Sequence, residues 1–293
     1  MKAVIFGGSG FIGSYVADEL SKRGYKITIA DLNEPKNLSS KYTFKKIDIL
    51  NFNDVKKILS DDTAVYNFSA VAELDEAIEN PLKTFQVNVI GHLNILEACK
   101  NVGLKSRVVY ASSAYALSSH GSFYGLSKQS SEKLTEEYHK RYGIKYTIIR
   151  YGSLYGERAS HNNYIYKVLM GAVKNKELVY AGDDNDIREY IHAADAAKLS
   201  VDILEDTKYE NENIILTGTE RLKRIELITM INEIMGGQLK LTKTSDKNTG
   251  HYKITPYNYS PKRSLKIVPN EFIDLGEGLL EVIEKDFNKN NWY

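Results

Sequence analysis

The sequence predicts an α/β protein: a doubly wound parallel sheet, followed by a smaller and less regular C-terminal part. Three observations predict it. Short apolar, β-branched runs alternate with helically spaced segments from Ala3 to Ile149, which implies parallel strands joined by helical crossovers. A glycine-rich turn separates the first strand from the first helix. Beyond Gly156 the alternation loosens, and prolines gather at Pro256, Pro261 and Pro269.

Each element has its own warrant. Ala3-Val4-Ile5-Phe6 is a buried strand by its unbroken apolar character. Phe11 to Arg23 repeats apolar residues at helical spacing and stops at Gly24. Lys26–Ala30 and Phe44–Ile47 read as the second and third strands, and Asp54–Leu59 as a short helix. Ala64–Phe68 is a fourth strand and Pro81–Lys100 a long helix. Arg107–Ala111, Tyr124–Tyr142 and Tyr146–Ile149 follow as strand, helix and strand. In the looser part, Tyr164–Lys174 and Arg221–Met235 are predicted helices and Asn213–Leu216 a strand.

Composition excludes several function classes. The 293 residues suffice for one large domain or two moderate ones, with a core that needs no disulfide or metal staple. The lone Cys99 cannot pair internally, and no Cys/His cluster has zinc spacing, so no metal is expected and a reducing, cytoplasmic setting fits. No apolar run reaches the roughly 20 residues of a membrane span, and no leader peptide is expected, because strand pattern begins at Ala3. A net charge of +1 gives no electrostatic reason to expect nucleic acid as a partner.

The first turn reads Gly7-Gly8-Ser9-Gly10-Phe11-Ile12-Gly13. In such a strand–turn–helix unit the first glycine permits a tight turn. The second admits a pyrophosphate close to the backbone, and the third lets helix pack on strand. The helix start at Phe11 and Ile12 offers free N–H groups and partial positive charge. Asp31 ends the second strand, where a carboxylate bonds the ribose hydroxyls of NAD and repels the 2′-phosphate of NADP; Leu32 and Asn33 supply no offsetting cation. NAD is therefore the expected cofactor of a Rossmann-type domain over residues 1–157. Residues 158–293 are expected to bind substrate, with about 186–217 packing back on the first domain. Asp48, after the third strand, either bonds the adenine amine or caps the next segment.

Tyr124-Gly125-Leu126-Ser127-Lys128 opens a long helix with Tyr124 and Lys128 on one face. A phenol with a pKa of ~10 is a poor base at neutral pH. A neighbouring ammonium favours the phenolate. With Ser113 at the end of the fifth strand bonding the reacting oxygen, Tyr124 can remove a carbinol proton while hydride leaves to the cofactor. Tyrosine is abundant here, so the pair gains its meaning from the glycine loop, Asp31 and Ser112-Ser113 together.

With these motifs the chain resembles the extended short-chain dehydrogenase/reductases, specifically the NAD-dependent sugar-nucleotide epimerase/dehydratase family. The resemblance also rests on Asn88-Val89-x-Gly91, Tyr110-Ala111-Ser112-Ser113, Arg150-Tyr151-x-x-x-Tyr155-Gly156, Arg188-Glu189-Tyr190-Ile191-His192-x-x-Asp195 and the ending Ser260-Pro261-Lys262-Arg263. It implies Tyr124 as base, Lys128 as ribose-binding cation, Ser113 as binder of the substrate hydroxyl and Arg188 as contact to the nucleotide diphosphate. A salt bridge from Arg188 to Glu189 or Asp186 is the alternative. The resemblance makes His192 structural and His161–Tyr164 a loose match to the nucleotide loop. It also implies a homodimer through the two long helices, for which Phe85, Leu93, Leu134 and Tyr138 are candidates.

Departures shape the expected activity. Ser113 and Tyr124 lie 11 positions apart, about half the family's usual spacing, leaving a short loop that contains His120. Ser153 stands where many sugar-epimerising members carry a substrate-contacting Asn, and Asp183-Asp184 replaces a glycine. No Asp or Glu lies between Ser113 and Tyr124, which places 4,6-dehydration behind simple oxidation. The leading expectation is NAD-dependent oxidation at C4 of a nucleotide-linked sugar, with epimerisation as the net reaction. The alternatives are a 4-dehydrogenase that releases the keto sugar and a non-catalytic dinucleotide sensor.

Overall fold

The computed structural model describes residues 1–35, 41–118, 120–244 and 265–290, with side chains as far as 285. Ser119, Pro256, Pro261 and the Ser260–Arg263 motif lie outside the described residues. The first half comprises β1 (Lys2–Phe6), α1 (Phe11–Lys22), β2 (Lys26–Asp31), β3 (Tyr42–Lys46), α2 (Phe52–Lys57), β4 (Thr63–Asn67), α3 (Leu74–Glu79), α4 (Pro81–Phe85), α5 (His92–Asn101), β5 (Arg107–Ser113), α6 (Ser122–Tyr142) and β6 (Lys145–Tyr151). The second half comprises β7 (Ser153–Tyr155), α7 (Tyr164–Asn175), β8 (Glu177–Ala181), β9 (Ile187–His192), α8 (Ala193–Glu205), β10 (Glu212–Leu216), β11 (Arg221–Lys223), α9 (Arg224–Ile234), β12 (Lys240–Thr244), β13 (Leu265–Ile267) and α10 (Leu275–Asn290).

Eight strands form one sheet in the order β13-β10-β6-β5-β4-β1-β2-β3, and every adjacent pair is parallel. Chain order reverses at β1, which lies between β2 and β4. Ligands of such sheets bind outside the carboxyl ends of the strands at that point. Both faces are covered. Tyr15, Val16 and Leu20 of α1 join Ala196, Ala197 and Val201 of α8 on one side. Val55, Ile95, Leu96 and Cys99 cover the other. A separate cluster unites α7, β8, α9 and α10 through Leu169, Leu178, Ile228 and Leu279. The second half thus returns α8, β10 and β13 to the large sheet while building its own core.

Several elements differ from the sequence reading for physical reasons. The predicted helix over 81–100 is broken by a π-helical turn at Gln86–Gly91, where Gly91 lies so close to Ile49 that a Cβ would approach its Cδ1 to 2.4 Å. The predicted helix over 221–235 begins as a strand, because Arg221–Lys223 pairs antiparallel with β9; tertiary pairing overrides the local helical spacing. The helix predicted from Tyr124 starts at Ser122, after Gly121. It ends at Gly143 in the left-handed region that favours glycine.

Candidate active site

The glycine turn is built by exclusion of side chains. Gly7 has φ +73°, and a Cβ there would lie 2.5 Å from the backbone nitrogen of Ser69. A Cβ on Gly13 would lie 2.4 Å from the Gly7 carbonyl oxygen. No side chain caps the start of α1 at Gly10, so the N–H groups of Phe11, Ile12 and Gly13 lack intrahelical acceptors. This cradle suits a pyrophosphate. Asp31 stands beside it. One carboxylate oxygen accepts the Ser9 N–H at 3.1 Å and the other the Asn33 N–H at 3.1 Å. Asp48 is exposed and shapes a turn, accepting the Leu50 N–H at 2.9 Å.

Lys128 and Tyr124 stand together on α6 against β5, whose last residue is Ser113. Lys128 is only 3% exposed. Its Nζ donates to the Ala111 carbonyl at 2.8 Å and lies 5.1 Å from the Tyr110 ring centroid and 5.8 Å from that of Tyr124. Burial pulls its pKa down to about 8, while Glu132 pushes it up. Ser113 accepts the Tyr115 N–H at 3.3 Å, and the Tyr115 ring stands edge-on to Tyr124 at 6.0 Å. The short loop folds tightly here, since a Cβ on Gly125 would lie 2.9 Å from the Tyr115 carbonyl oxygen. His120 is exposed, with its N–H on Ser118 Oγ.

Beneath these groups lies a polar framework that the sequence reading did not assign. Ser112 Oγ donates to Glu132 Oε1 at 2.6 Å, and Arg150 donates to both Glu132 oxygens at 2.8 and 2.6 Å. Asn88 bonds both the N–H and the carbonyl of Val71 and donates to Ser127 Oγ, which in turn donates to the Tyr124 carbonyl. Fully buried His92 lies 3.0 Å from Asn67 Nδ2 and 2.8 Å from Thr135 Oγ1. The Thr135 hydroxyl donates to the Ser131 carbonyl. His92 therefore donates through Nε2 and accepts through Nδ1, the neutral form. Burial, then Lys128, lowers its pKa to about 3. Asn88 and Arg150 were visible only as motif members. Glu132 could have been found at the next i,i+4 position after Lys128.

In the second half, Arg188 is buried on β9 and donates to the Ile187 carbonyl at 2.9 Å. The two acids weighed against it have other cations. Asp186 pairs with Arg224 at 2.9 Å, and Glu189 lies against Lys266 and Arg221. Ser153 sits opposite Tyr190 in the β7–β9 pairing. His192 caps α8 between the Tyr15 and Tyr155 rings. Asn163 caps α7, and His161 lies on the surface against Tyr166. Among the described residues no three His, Cys, Asp or Glu side chains form a metal cluster.

The sheet order converts these positions into one site. Asp31 ends β2 and Ser113 ends β5, three strands apart across β1 and β4, or roughly 14 Å at about 4.8 Å per strand. That separation matches the reach of an extended dinucleotide, which would lay its pyrophosphate at the side-chain-free glycine turn. The sequence pattern of the NAD dependent epimerase/dehydratase family matches residues 3–216. The chain belongs to that family. It is 29% identical to a putative UDP-glucose 4-epimerase of Methanocaldococcus jannaschii over 98% of both chains. It is 26% identical to a UDP-glucuronate 4-epimerase of Thermodesulfobacterium geofontis over 81% of both. A Thermotoga maritima UDP-glucose 4-epimerase crystallised with UDP-glucose superposes with a TM-score of 0.84 at 22% identity, covering 99% of this chain and 100% of that one. A Bacillus cereus UDP-glucuronic acid 4-epimerase in complex with UDP-glucuronic acid and NAD gives 0.83 at 25% identity, over 97% and 99%. The family is NAD dependent, which agrees with the side-chain-free cradle at Gly7, Gly10 and Gly13 and with Asp31 beside it.

Proposed function

We propose that this chain is an NAD-dependent epimerase that oxidises C4 of a nucleotide-linked sugar and returns the hydride to the opposite face. The single observation that carries the reading is the buried Lys128 ammonium beside Tyr124, on the same sheet edge as the glycine cradle. The cradle and Asp31 would hold NAD, which when bound supplies the hydride acceptor. Lys128 favours the Tyr124 phenolate, the phenolate takes the C4 hydroxyl proton, and Ser113 holds the same oxygen. The proton held on Tyr124 then returns to the 4-keto oxygen as hydride comes back. Arg188 is our candidate for the diphosphate, a role suited to its fork of donors, and Ser153 for a sugar contact. No Asp or Glu lies in 114–123, so water elimination would need its acid and base from elsewhere, which places it behind epimerisation. The test is conversion of UDP-glucose to UDP-galactose by purified protein. Accumulation of reduced cofactor without inverted sugar would establish a 4-dehydrogenase instead.

The assembly we assign is a homodimer through the α4–α5 segment and α6. Ile90 and Leu126 are 47% and 53% exposed on these neighbouring segments, and burial of such apolar area favours association. Leu134 and Tyr138 instead pack partly against the sheet-side core. Light scattering that returns a monomer mass overturns this assignment. No described helix is long and apolar enough to cross a membrane. The free, buried Cys99 supports our placing the protein in the cytoplasm.

A further inference from the structure

The relatives include epimerases named for a neutral sugar and for its uronate, and the surroundings of Tyr124 bear on the choice between them. Leu74 and Ala77 of α3 pack in one apolar cluster with Tyr124 and Tyr115. Glu73 directly precedes Leu74 and occupies the cap position of α3, where its side chain caps no N–H group. The preceding loop is fixed, because Asn88 holds both the N–H and the carbonyl of Val71. Among the described residues Glu73 has no basic partner, whereas Glu76 pairs with Lys83 at 2.8 Å. Partial burial, with Glu76 and Asp75 nearby, raises the pKa of its carboxyl above the usual range.

The segments flanking the reacting end are short of cations. Residues 68–82 carry Glu73, Asp75, Glu76 and Glu79 and no Lys or Arg; residues 113–123 and 152–155 carry no Lys or Arg either. The Lys128 ammonium is enclosed on the Ala111 carbonyl. A carboxylate at C6 lies one carbon beyond C5, within a few ångströms of the C4 oxygen on Tyr124. A 4-epimerase must also present both faces of C4, so the C6 group visits both sides of the pocket and meets the α3 side in one of them. There a carboxylate would lose water against the apolar Leu74 and Ala77, one residue from the half-buried Glu73 carboxylate, and the nearest ammonium, Lys128, is already bonded to the Ala111 carbonyl.

We propose that this site selects neutral hexoses over hexuronates and that Glu73 is a specificity-determining residue for that choice. The proposal rests on the nucleotide-sugar reading above. The test measures binding and turnover separately on NAD-loaded protein, with UDP-glucose, UDP-glucuronic acid and UDP as probes. The expected result is a preference for UDP-glucose over UDP-glucuronic acid of roughly 100-fold in both affinity and kcat/KM. Glu73→Gln should narrow that ratio to about tenfold, and Glu73→Lys should narrow it further, while UDP affinity reports that the nucleotide site is intact. Equal binding of the two sugars by the wild-type protein overturns the proposal, as does an unchanged ratio in both variants. Selective binding of UDP-glucose with no turnover supports the selectivity and overturns the epimerase assignment instead.

Discussion

Lys128 holds its ammonium 5.8 Å from the Tyr124 ring while bonding the Ala111 carbonyl at 2.8 Å. One lysine thus ties α6 to the strand that presents Ser113, and on the proposed mechanism it would supply the charge that makes the Tyr124 phenol useful as a base. Removing the phenol oxygen should remove the chemistry but leave the fold. Tyr124→Phe is predicted to lose about 1,000-fold in kcat, with an unchanged melting temperature, measured by sugar interconversion and thermal unfolding. Retained turnover would show that Tyr124 is not the base.

The same lysine makes activity and stability move in opposite directions with pH. Its folded pKa of about 8 lies below its ordinary value of 10.5. Above pH 8 the native state has shed a proton that the unfolded chain keeps until about 10.5, so stability rises across that window. Without the ammonium the phenolate is no longer favoured, so kcat/KM should fall as pH rises past 8. Lys128→Met should abolish activity and flatten the rise of stability with pH above 8. Denaturant titrations and a pH–rate profile check both signs.

His92 predicts acid sensitivity. It is held neutral with a pKa of about 3, against an ordinary value of 6.5. Between those values the unfolded chain binds the extra proton, so stability is full above pH 6.5 and declines as the solution is acidified toward 3. Urea melts at pH 7 and 4.5 should show a steeper loss for the wild type than for His92→Gln. The substitution itself should cost about 2–3 kcal/mol at pH 7, because Asn67 and Thr135 lose a buried partner.

The Glu132–Arg150 pair is buried on both sides and shared with Ser112. Arg150→Met should cost about 3–5 kcal/mol, since it strands a buried carboxylate. The double variant Glu132→Gln/Arg150→Met should recover part of that loss, as read by denaturant midpoints.

Asp31 should decide the cofactor. Asp31→Ala is predicted to weaken NAD binding by about 10–100-fold and to narrow the preference over NADP, as measured by calorimetry. An unchanged preference would assign the discrimination to another residue.

The parallel sheet, its strand order around β1 and the residues proposed for the site were legible because local signals coincide there. Gly7 and Gly13 must lack side chains, Asp31 ends a strand, and Tyr124 and Lys128 are one helical turn apart. The framework was less legible because its logic is long-range. Ser112, Glu132 and Arg150 come from three elements, and His92 finds Asn67 and Thr135 across the sheet and a second helix. β7 and β11 are three residues each, and their strand character depends on pairing with β9 between them rather than on any apolar period. Glu73 carried no motif at all. Its interest arises only once α3 packs on Tyr124.

The central claim is that C4 is oxidised and re-reduced within one site, and UDP-glucose deuterated at C4 tests it most directly. The account predicts UDP-galactose with the deuterium retained at C4. Deuterium lost to solvent, or no inverted sugar from an enzyme that binds the substrate, would contradict it.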